Sequence, residues 1–211
     1  MPSQEHTGNE ALAGPLWARG LQRASAAILG LERWALSGLM GLIAALILLN
    51  VATRYSGMPI YWVDEAAVYL VVWLCFIGAS AMTRLRLDFA VTLLTDAVGE
   101  RAARWLKMAA TLCVLLFGLA MIAMCWVWLD PVGIASFGFD AKAYAAESFN
   151  FLYTERTQTL NWPTWLVQIV VPLFAVSFTV HAAANLAEDM GVVPRATIQG
   201  FDLGNAEETV N

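Results

Sequence analysis

Residues 34–83, WALSGLMGLIAALILLNVATRYSGMPIYWVDEAAVYLVVWLCFIGASAMT, decide the fold, because they place two uncharged runs on either side of a short polar segment. Each run is long enough to cross a hydrocarbon layer of roughly 30 Å at about 1.5 Å per helical residue. The segment between them has room only for a tight connection. The stretch therefore predicts two membrane-spanning helices joined by a hairpin outside the bilayer.

The rest of the chain has the same character. Of 211 residues, 59% are hydrophobic and only 14% are charged, whereas about a quarter of the residues of a soluble domain are charged. Because lipid offers no hydrogen-bonding partner, apolar runs of this length must be helices; barrel strands are shorter and alternate in polarity. The sequence predicts an all-α integral membrane protein with four transmembrane helices and additional amphipathic interfacial helices. The spans are expected at about 34–53, 66–83, 108–129 and 164–187, in a membrane domain of 15–190 between flexible tails 1–14 and 191–211.

The distribution of basic residues predicts the orientation. Nine of the 12 Lys and Arg residues lie on the side that holds both chain ends and the segment 84–107. Loops rich in Lys and Arg remain in the cytoplasm. Both termini are therefore predicted to be cytoplasmic, and the loop 130–163 is predicted to face outward.

Two segments next to the spans are amphipathic. In residues 14–34, an apolar stripe at helical spacing lies opposite a basic face; the stripe holds Trp17, Leu21, Ala24, Ile28 and Leu31, and the basic face Arg19, Arg23 and Arg33. A helix on the membrane surface and a helix packed on a partner protein both fit this pattern, and Gly20 and Gly30 are possible breaks. Residues 84–107 suggest a second such helix, bent at Gly99. Trp17, Arg19, Arg23 and Trp105 are the predicted membrane-surface anchors.

The outward loop 130–163 is long and rich in aromatic residues. Loops of this length in compact proteins usually have a function. Asp140 is a predicted cap for a short helix through AKAYAAES, residues 141–148. The aromatic side chains fit either contact with lipid headgroups or docking of a partner.

Residues typical of catalysis or cofactor binding are scarce. The two histidines are His6, near the N-terminus, and His181, near the inner end of the fourth span, whereas membrane haem proteins use pairs of histidines inside the bundle. His181 is therefore interpreted as a hydrogen-bonded core residue. An autonomous transporter or channel usually has charged residues deep in its spans. Here no charged residue lies in the central section of any predicted span. The sequence predicts a non-catalytic chain without a cofactor; a haem- or quinone-binding membrane anchor of a redox complex is the alternative.

Polar residues gather where the first two spans meet. Asn50 lies one helical turn before Arg54, so both face the same side, and Trp62 lies at the membrane boundary. An arginine at a helix C-terminus and an acid at the next N-terminus each complement the helix dipole. Arg54 is therefore expected to pair with Asp64 or Glu65.

The hairpin also resembles a known family. NVATRY, then WVDEAAVYL, then WLCFIGASAMTRLR followed by FAVTLL, is similar to the small, DctQ-type membrane subunit of tripartite ATP-independent periplasmic (TRAP) transporters, over roughly residues 32–187. The residues that carry the resemblance are Asn50, Arg54, Trp62, Glu65, Gly78 and Arg84. Asp88 stands where the family commonly has histidine, so a role tied to that histidine is not carried over to this chain.

The resemblance implies a function. It implies sodium-driven uptake of small organic anions, typically carboxylates, across the bacterial inner membrane, with substrate delivered by a periplasmic binding protein. A large elevator-type subunit would bind substrate and sodium, and this chain would be its scaffold in the lipid bilayer, with no nucleic-acid partner. The residues hypothesised to shape the hairpin and the subunit interface are Asn50, Arg54, Trp62, Asp64, Glu65, Gly78 and Arg84.

Overall fold

The computed structural model describes residues 14–86 and 99–196, and this part of the chain is helical. The helices, in chain order, are α1 (Leu16–Tyr55), α2 (Trp62–Leu85), α3 (Glu100–Leu129), α4 (Pro131–Ser136), α5 (Ala141–Ser148), α6 (Thr164–Gln168) and α7 (Val170–Asp189). Within the two described ranges, the only β-type pairing is an isolated bridge between Arg156 and Pro163.

Four helical segments are long and apolar enough to cross a membrane: Leu16–Tyr55, Trp62–Leu85, Arg101–Ser136 and Thr164–Asp189. The predicted all-α membrane fold with four spans is therefore confirmed. At most 28% of the apolar window of any span is buried inside the chain. Most of the apolar surface of the spans therefore faces outward, towards lipid or another protein.

Helix α1 corrects the prediction for residues 14–34. It is one continuous helix of 40 residues, with no break at Gly20 or Gly30, instead of a surface helix followed by a span. At about 1.5 Å per residue it is roughly 60 Å long, twice the thickness of a hydrocarbon core. Its first turns therefore continue the axis of the span. Of the second predicted surface helix, residues 87–98 lie outside the described residues, and the part from Glu100 onward belongs to α3.

The face of α1 that packs inside the protein is not the apolar stripe. The buried residues are Ala18, Ser25, Leu29 and Glu32. Trp17 and Leu31, from the apolar stripe, are 61% and 72% exposed. The side that carries Ser25 and Glu32 turns inward, where α7 provides hydrogen-bonding partners for both; in a membrane, apolar area alone does not decide which face is buried.

Helix α7 is the centre of the bundle, since it contacts α1, α2 and α3. Ala175, Ala182 and Ala184 on α7 are fully buried, and such small side chains allow close helix packing. At Gly118 of α3, a β-carbon would lie 2.5 Å from Oγ1 of Thr179. The close contact of α3 with α7 therefore requires a glycine at this position.

Candidate functional site

A triangle of polar side chains closes the hairpin between α1 and α2. Arg54 Nη2 lies 2.6 Å from Asp64 Oδ2, and Arg54 Nε donates to Asn50 Oδ1 at 3.0 Å. Asn50 Nδ2 donates to the other oxygen of Asp64. Of the two acids considered for Arg54, the structure places Asp64 against it, within the same chain. The side chains of Arg54 and Asp64 are 60% and 49% exposed, so the pair fixes geometry more than it adds stability.

Glu65 binds a different part of the protein. Its carboxylate accepts hydrogen bonds from three successive backbone amides, those of Gln158, Thr159 and Leu160, at 2.8, 2.7 and 2.9 Å. The hydroxyl of Thr159 donates to it as well. Glu65 therefore joins the first turn of α2 to the end of the outward loop, a contact that the sequence did not reveal.

The outward loop closes over the end of α3. The side-chain amide of Asn150 donates to the carbonyl of Trp128, and the Tyr153 hydroxyl donates to that of Leu129 at 2.6 Å. These carbonyls have no partner within the helix, because they lie in its last turn. Burial, together with the nearby Tyr144 and Asp130, raises the pKa of Tyr153, which favours the protonated hydroxyl that donates this bond.

The short helix predicted in this loop is confirmed. Helix α5 covers residues 141–148, and Asp140 Oδ1 accepts from the amides of Lys142 and Ala143. Tyr144 on this helix is buried, whereas Phe139 and Phe149 are 74% and 79% exposed. Headgroup contact and partner docking both remain predictions for these exposed rings.

Replacing Glu65 with Gln is expected to loosen the end of the outward loop. The amide side chain has one oxygen and no charge, so it cannot accept all three backbone hydrogen bonds. Hydrogen exchange at the amides of Gln158, Thr159 and Leu160 should rise by roughly an order of magnitude or more, as expected when a local cluster of bonds is lost. Hydrogen-exchange mass spectrometry measures this. Exchange unchanged from wild type would contradict the proposed link, and Glu147→Gln, in the same loop, is the matched control.

A buried network of charges connects the helices at the opposite end of the bundle. Arg84 on α2 donates from Nη2 to Glu188 Oε1 at 2.7 Å, and from Nη1 to the side-chain oxygen of Asn185. The side chains of Arg84 and Glu188 are 1% and 3% exposed. Arg86 Nη1 pairs with Asp189 Oδ1 at 2.7 Å. Arg84, which the resemblance placed among the hairpin and interface residues, therefore lies inside this chain.

The same two acids also hold α1, α3 and the segment after α7. Gln22 of α1 donates to Glu188 Oε1 at 2.9 Å, and Thr111 of α3 donates to Asp189 Oδ2 at 2.8 Å. Val193, only 3% exposed, packs against α1 and α7. Residues 191–196, which belong to the tail predicted from residue 191, lie against the bundle through this contact. The remainder of that tail, and the predicted tail 1–14 except Gly14, lie outside the described residues.

A second buried chain of hydrogen bonds joins α1 to α7. Ser25 Oγ lies 2.7 Å from His181 Nδ1, and Glu32 Oε2 lies 3.1 Å from His181 Nε2. This confirms that His181 is a hydrogen-bonded core residue. The order serine, histidine, acid is that of a hydrolase triad, but Ser25 and His181 are 0% exposed, so no substrate reaches the hydroxyl.

The same contacts bear on cofactor binding. Because both ring nitrogens of His181 are engaged, the arrangement offers no haem ligand, and His6 lies outside the described residues. Across residues 14–86 and 99–196, no three His, Cys, Asp or Glu side chains are grouped as a metal site would require.

The remaining predicted residues lie in separate places. Gly78 faces Leu36 of α1, whose Cδ2 would be 3.8 Å from an added β-carbon. Trp62 is 42% exposed at the start of α2. Trp17 and Trp105 are 61% and 69% exposed, Arg23 is exposed and Arg19 is half-buried. Their role as membrane anchors remains a prediction.

Sequence reasoning missed the buried network of Arg84, Arg86, Glu188 and Asp189, although the sequence held one signal of it. Glu188 and Asp189 occupy the last turn of α7, which has no basic residue. Acids at a helix C-terminus oppose the helix dipole, so they need cations from elsewhere in the structure. Arg84 and Arg86, at the end of α2 on the same predicted side of the membrane, were candidates, as was Arg195, which lies 3.3 Å from Asp189 Oδ1.

Together these contacts define a multi-pass membrane protein in which buried charged side chains connect the helices. The apolar faces of its spans are largely uncovered. The family model for the DctQ component of tripartite ATP-independent periplasmic transporters matches residues 43–191, and the chain belongs to this family. It is thus the small membrane component of a system that also contains a large membrane subunit and a substrate-binding protein. No curated protein was found to match the chain.

Proposed function

We propose that this chain is the non-catalytic scaffold subunit of a sodium-driven TRAP transporter that takes up small organic anions, such as carboxylates. It would hold the large elevator-type subunit in the bacterial inner membrane, and both of its termini would face the cytoplasm. Substrate and sodium would bind to the large subunit, and a periplasmic protein would deliver the substrate. Membership of the DctQ family is the observation that carries this proposal.

The bracing of the bundle supports a scaffold role. An elevator subunit moves its transport domain through the bilayer, so its scaffold must keep its own shape. Glu65 joins α2 to the outward loop at one membrane surface, and Glu188 joins α1 and α2 to α7 at the other. A bundle tied at both ends resists sliding of one helix against the next.

The exposed faces of the spans support an extended subunit interface. On α1, Ser37, Gly41 and Ala45 follow one another at four-residue spacing and are exposed. Nothing in the described part of the chain lies within 4 Å of a β-carbon built at Gly38 or Gly41. Small residues at this spacing allow helices to approach closely in lipid. We assign the α1 stripe, Ser37, Gly41 and Ala45, to contact with the large subunit.

Co-purification tests this assignment. A tagged large subunit is expected to bring down the wild-type chain in equal amount, and Gly41→Leu or Ala45→Leu to reduce the recovered chain severalfold, because the larger side chain keeps the helices apart. Ala123→Leu, at an exposed alanine of α3, is the matched control and should co-purify normally. Full recovery of the α1 variants would show that the interface lies elsewhere.

Transport itself is tested in liposomes. Vesicles with both membrane subunits and the binding protein should take up an organic anion when sodium is higher outside, and vesicles with this chain alone should not. Uptake that persists without a sodium gradient would contradict the proposed driving force.

A further inference from the structure

We propose that residues 190–196 form a strap that opens and closes over the buried ion pair of Arg84 and Glu188. When the strap is closed, the pair is kept away from water and salt and locks α2 to α7. When the strap is open, water and salt ions reach the pair and weaken the lock. This device goes beyond the proposed scaffold function and does not depend on it.

The ion pair needs a cover because it lies at the end of the bundle. Glu188 is in the last turn of α7, which ends at Asp189. The side chains of Arg84 and Glu188 are 1% and 3% exposed, whereas that of Arg195, a few residues further along the chain, is 63% exposed. Full burial thus gives way to contact with solvent within one short segment. Charges at such a boundary stay dry only if another part of the protein separates them from water.

The strap contacts the acid and its neighbour on α1. The backbone amide of Ala196 donates to Glu188 Oε1 at 3.4 Å. Gln22 Nε2 donates to the same carboxylate oxygen at 2.9 Å and to the backbone carbonyl of Pro194 at 2.8 Å. Residues 194–196 are themselves exposed. The strap therefore lies with one side on the Glu188 carboxylate and the other in solvent.

The strap is attached to the bundle by few contacts. It turns away from α7 at Gly191, whose φ of +70° is one that glycine adopts without strain. Val193 is the one buried residue of the strap, and it packs against Ala18 and Ala187. A segment held by one buried side chain and a few hydrogen bonds opens at a lower free energy than the helices beneath it. The strap can therefore open while the bundle stays folded.

Hydrogen exchange of the full chain in detergent tests the opening. The amide of Val192, which donates to the carbonyl of Ala187 at 3.0 Å, should exchange at least about tenfold faster than the amides in the middle of α7, because it opens locally. Exchange of Val192 only at the rate of the middle of α7 would show that the strap opens only with global unfolding, and it would overturn the proposal.

Salt tests what closure does to the ion pair. The unfolding midpoint of the full chain is measured by circular dichroism in low and high sodium chloride. Val193→Ser removes the buried contact of the strap, so its midpoint should be lower than that of wild type and should fall by several further degrees in high salt, because an uncovered pair is screened. Val63→Ser, at a valine of α2 that is 1% exposed, is the matched control. It should lower the midpoint without adding salt dependence.

Two further variants separate the strap from general destabilisation. In a background of Arg84→Met with Glu188→Met, Val193→Ser should lose most of its added salt dependence, since the pair is gone. If Val193→Ser does not fold, Gly191→Ala loosens the strap more mildly by placing a side chain at a positive φ. Salt dependence equal in wild type and the strap variant, or undiminished when the pair is removed, would overturn the proposal.

Discussion

Replacing Arg84 with Met should destabilise the protein by about 3–5 kcal/mol, the range for breaking a buried ion pair from one side. The replacement leaves the carboxylate of Glu188 without its main cation at a site where that side chain is only 3% exposed. Asn185 loses a bond at the same time. Thermal unfolding in detergent, followed by circular dichroism, should show a large fall in midpoint temperature.

Two further variants separate the buried charge from the loss of packing. Arg84→Met combined with Glu188→Met removes both charges, and it should recover much of the stability, because apolar replacement of a whole buried pair is often neutral. Arg54→Met at the exposed hairpin pair should cost only about 0–1 kcal/mol. If Arg84→Met and Arg54→Met lower the midpoint equally, the buried pair of Arg84 and Glu188 stabilises the protein no more than the exposed pair does.

Replacing His181 with Leu should be the second most damaging change. The volume is roughly conserved, but Ser25 and Glu32 lose their partner inside the bundle. An unsatisfied buried polar group costs about 1–3 kcal/mol, and more when it is charged. The expected loss therefore exceeds that of a neutral core replacement, and the unfolding midpoint measures it.

Restoring polarity distinguishes this explanation from simple misfit. His181→Gln keeps a donor and an acceptor and should retain part of the stability. Glu32→Leu added to His181→Leu removes the unpaired acid and should also recover part of it. A double variant no more stable than His181→Leu alone would show that the unpaired carboxylate is not the cause.

The four spans were predictable from the sequence because their cause is local. An apolar run of the right length must form a helix in lipid, whatever the neighbouring helices are. The cap at Asp140 was predictable for the same reason, since its partners are two and three residues away. The polar cluster around Arg54 was predictable because the hairpin alone brings together residues four to fourteen positions apart.

Which face of α1 is buried was not predictable, because it depends on residues far along the chain. Ser25 and Glu32 are polar, and by amphipathicity they belong to a solvent-facing side. They are buried because His181, more than a hundred residues later, meets them on α7. Similarly, nothing near Glu65 indicates that it receives the amides of residues 158–160. Sequence patterns report what a helix face is made of, but not which polar partners are brought to it.

The length of α1 has a consequence for membranes of different thickness. A single-span helix adapts to a thinner bilayer by tilting at modest cost. Helix α1 is connected to α2 through the hairpin triangle near its C-terminal end, and to α7 through Ser25, Glu32 and Gln22 in its N-terminal half. It cannot tilt on its own without breaking one of these connections. A change in bilayer thickness must therefore be met by tilt of the whole bundle or by the bilayer itself, which makes the stability of the protein sensitive to lipid chain length.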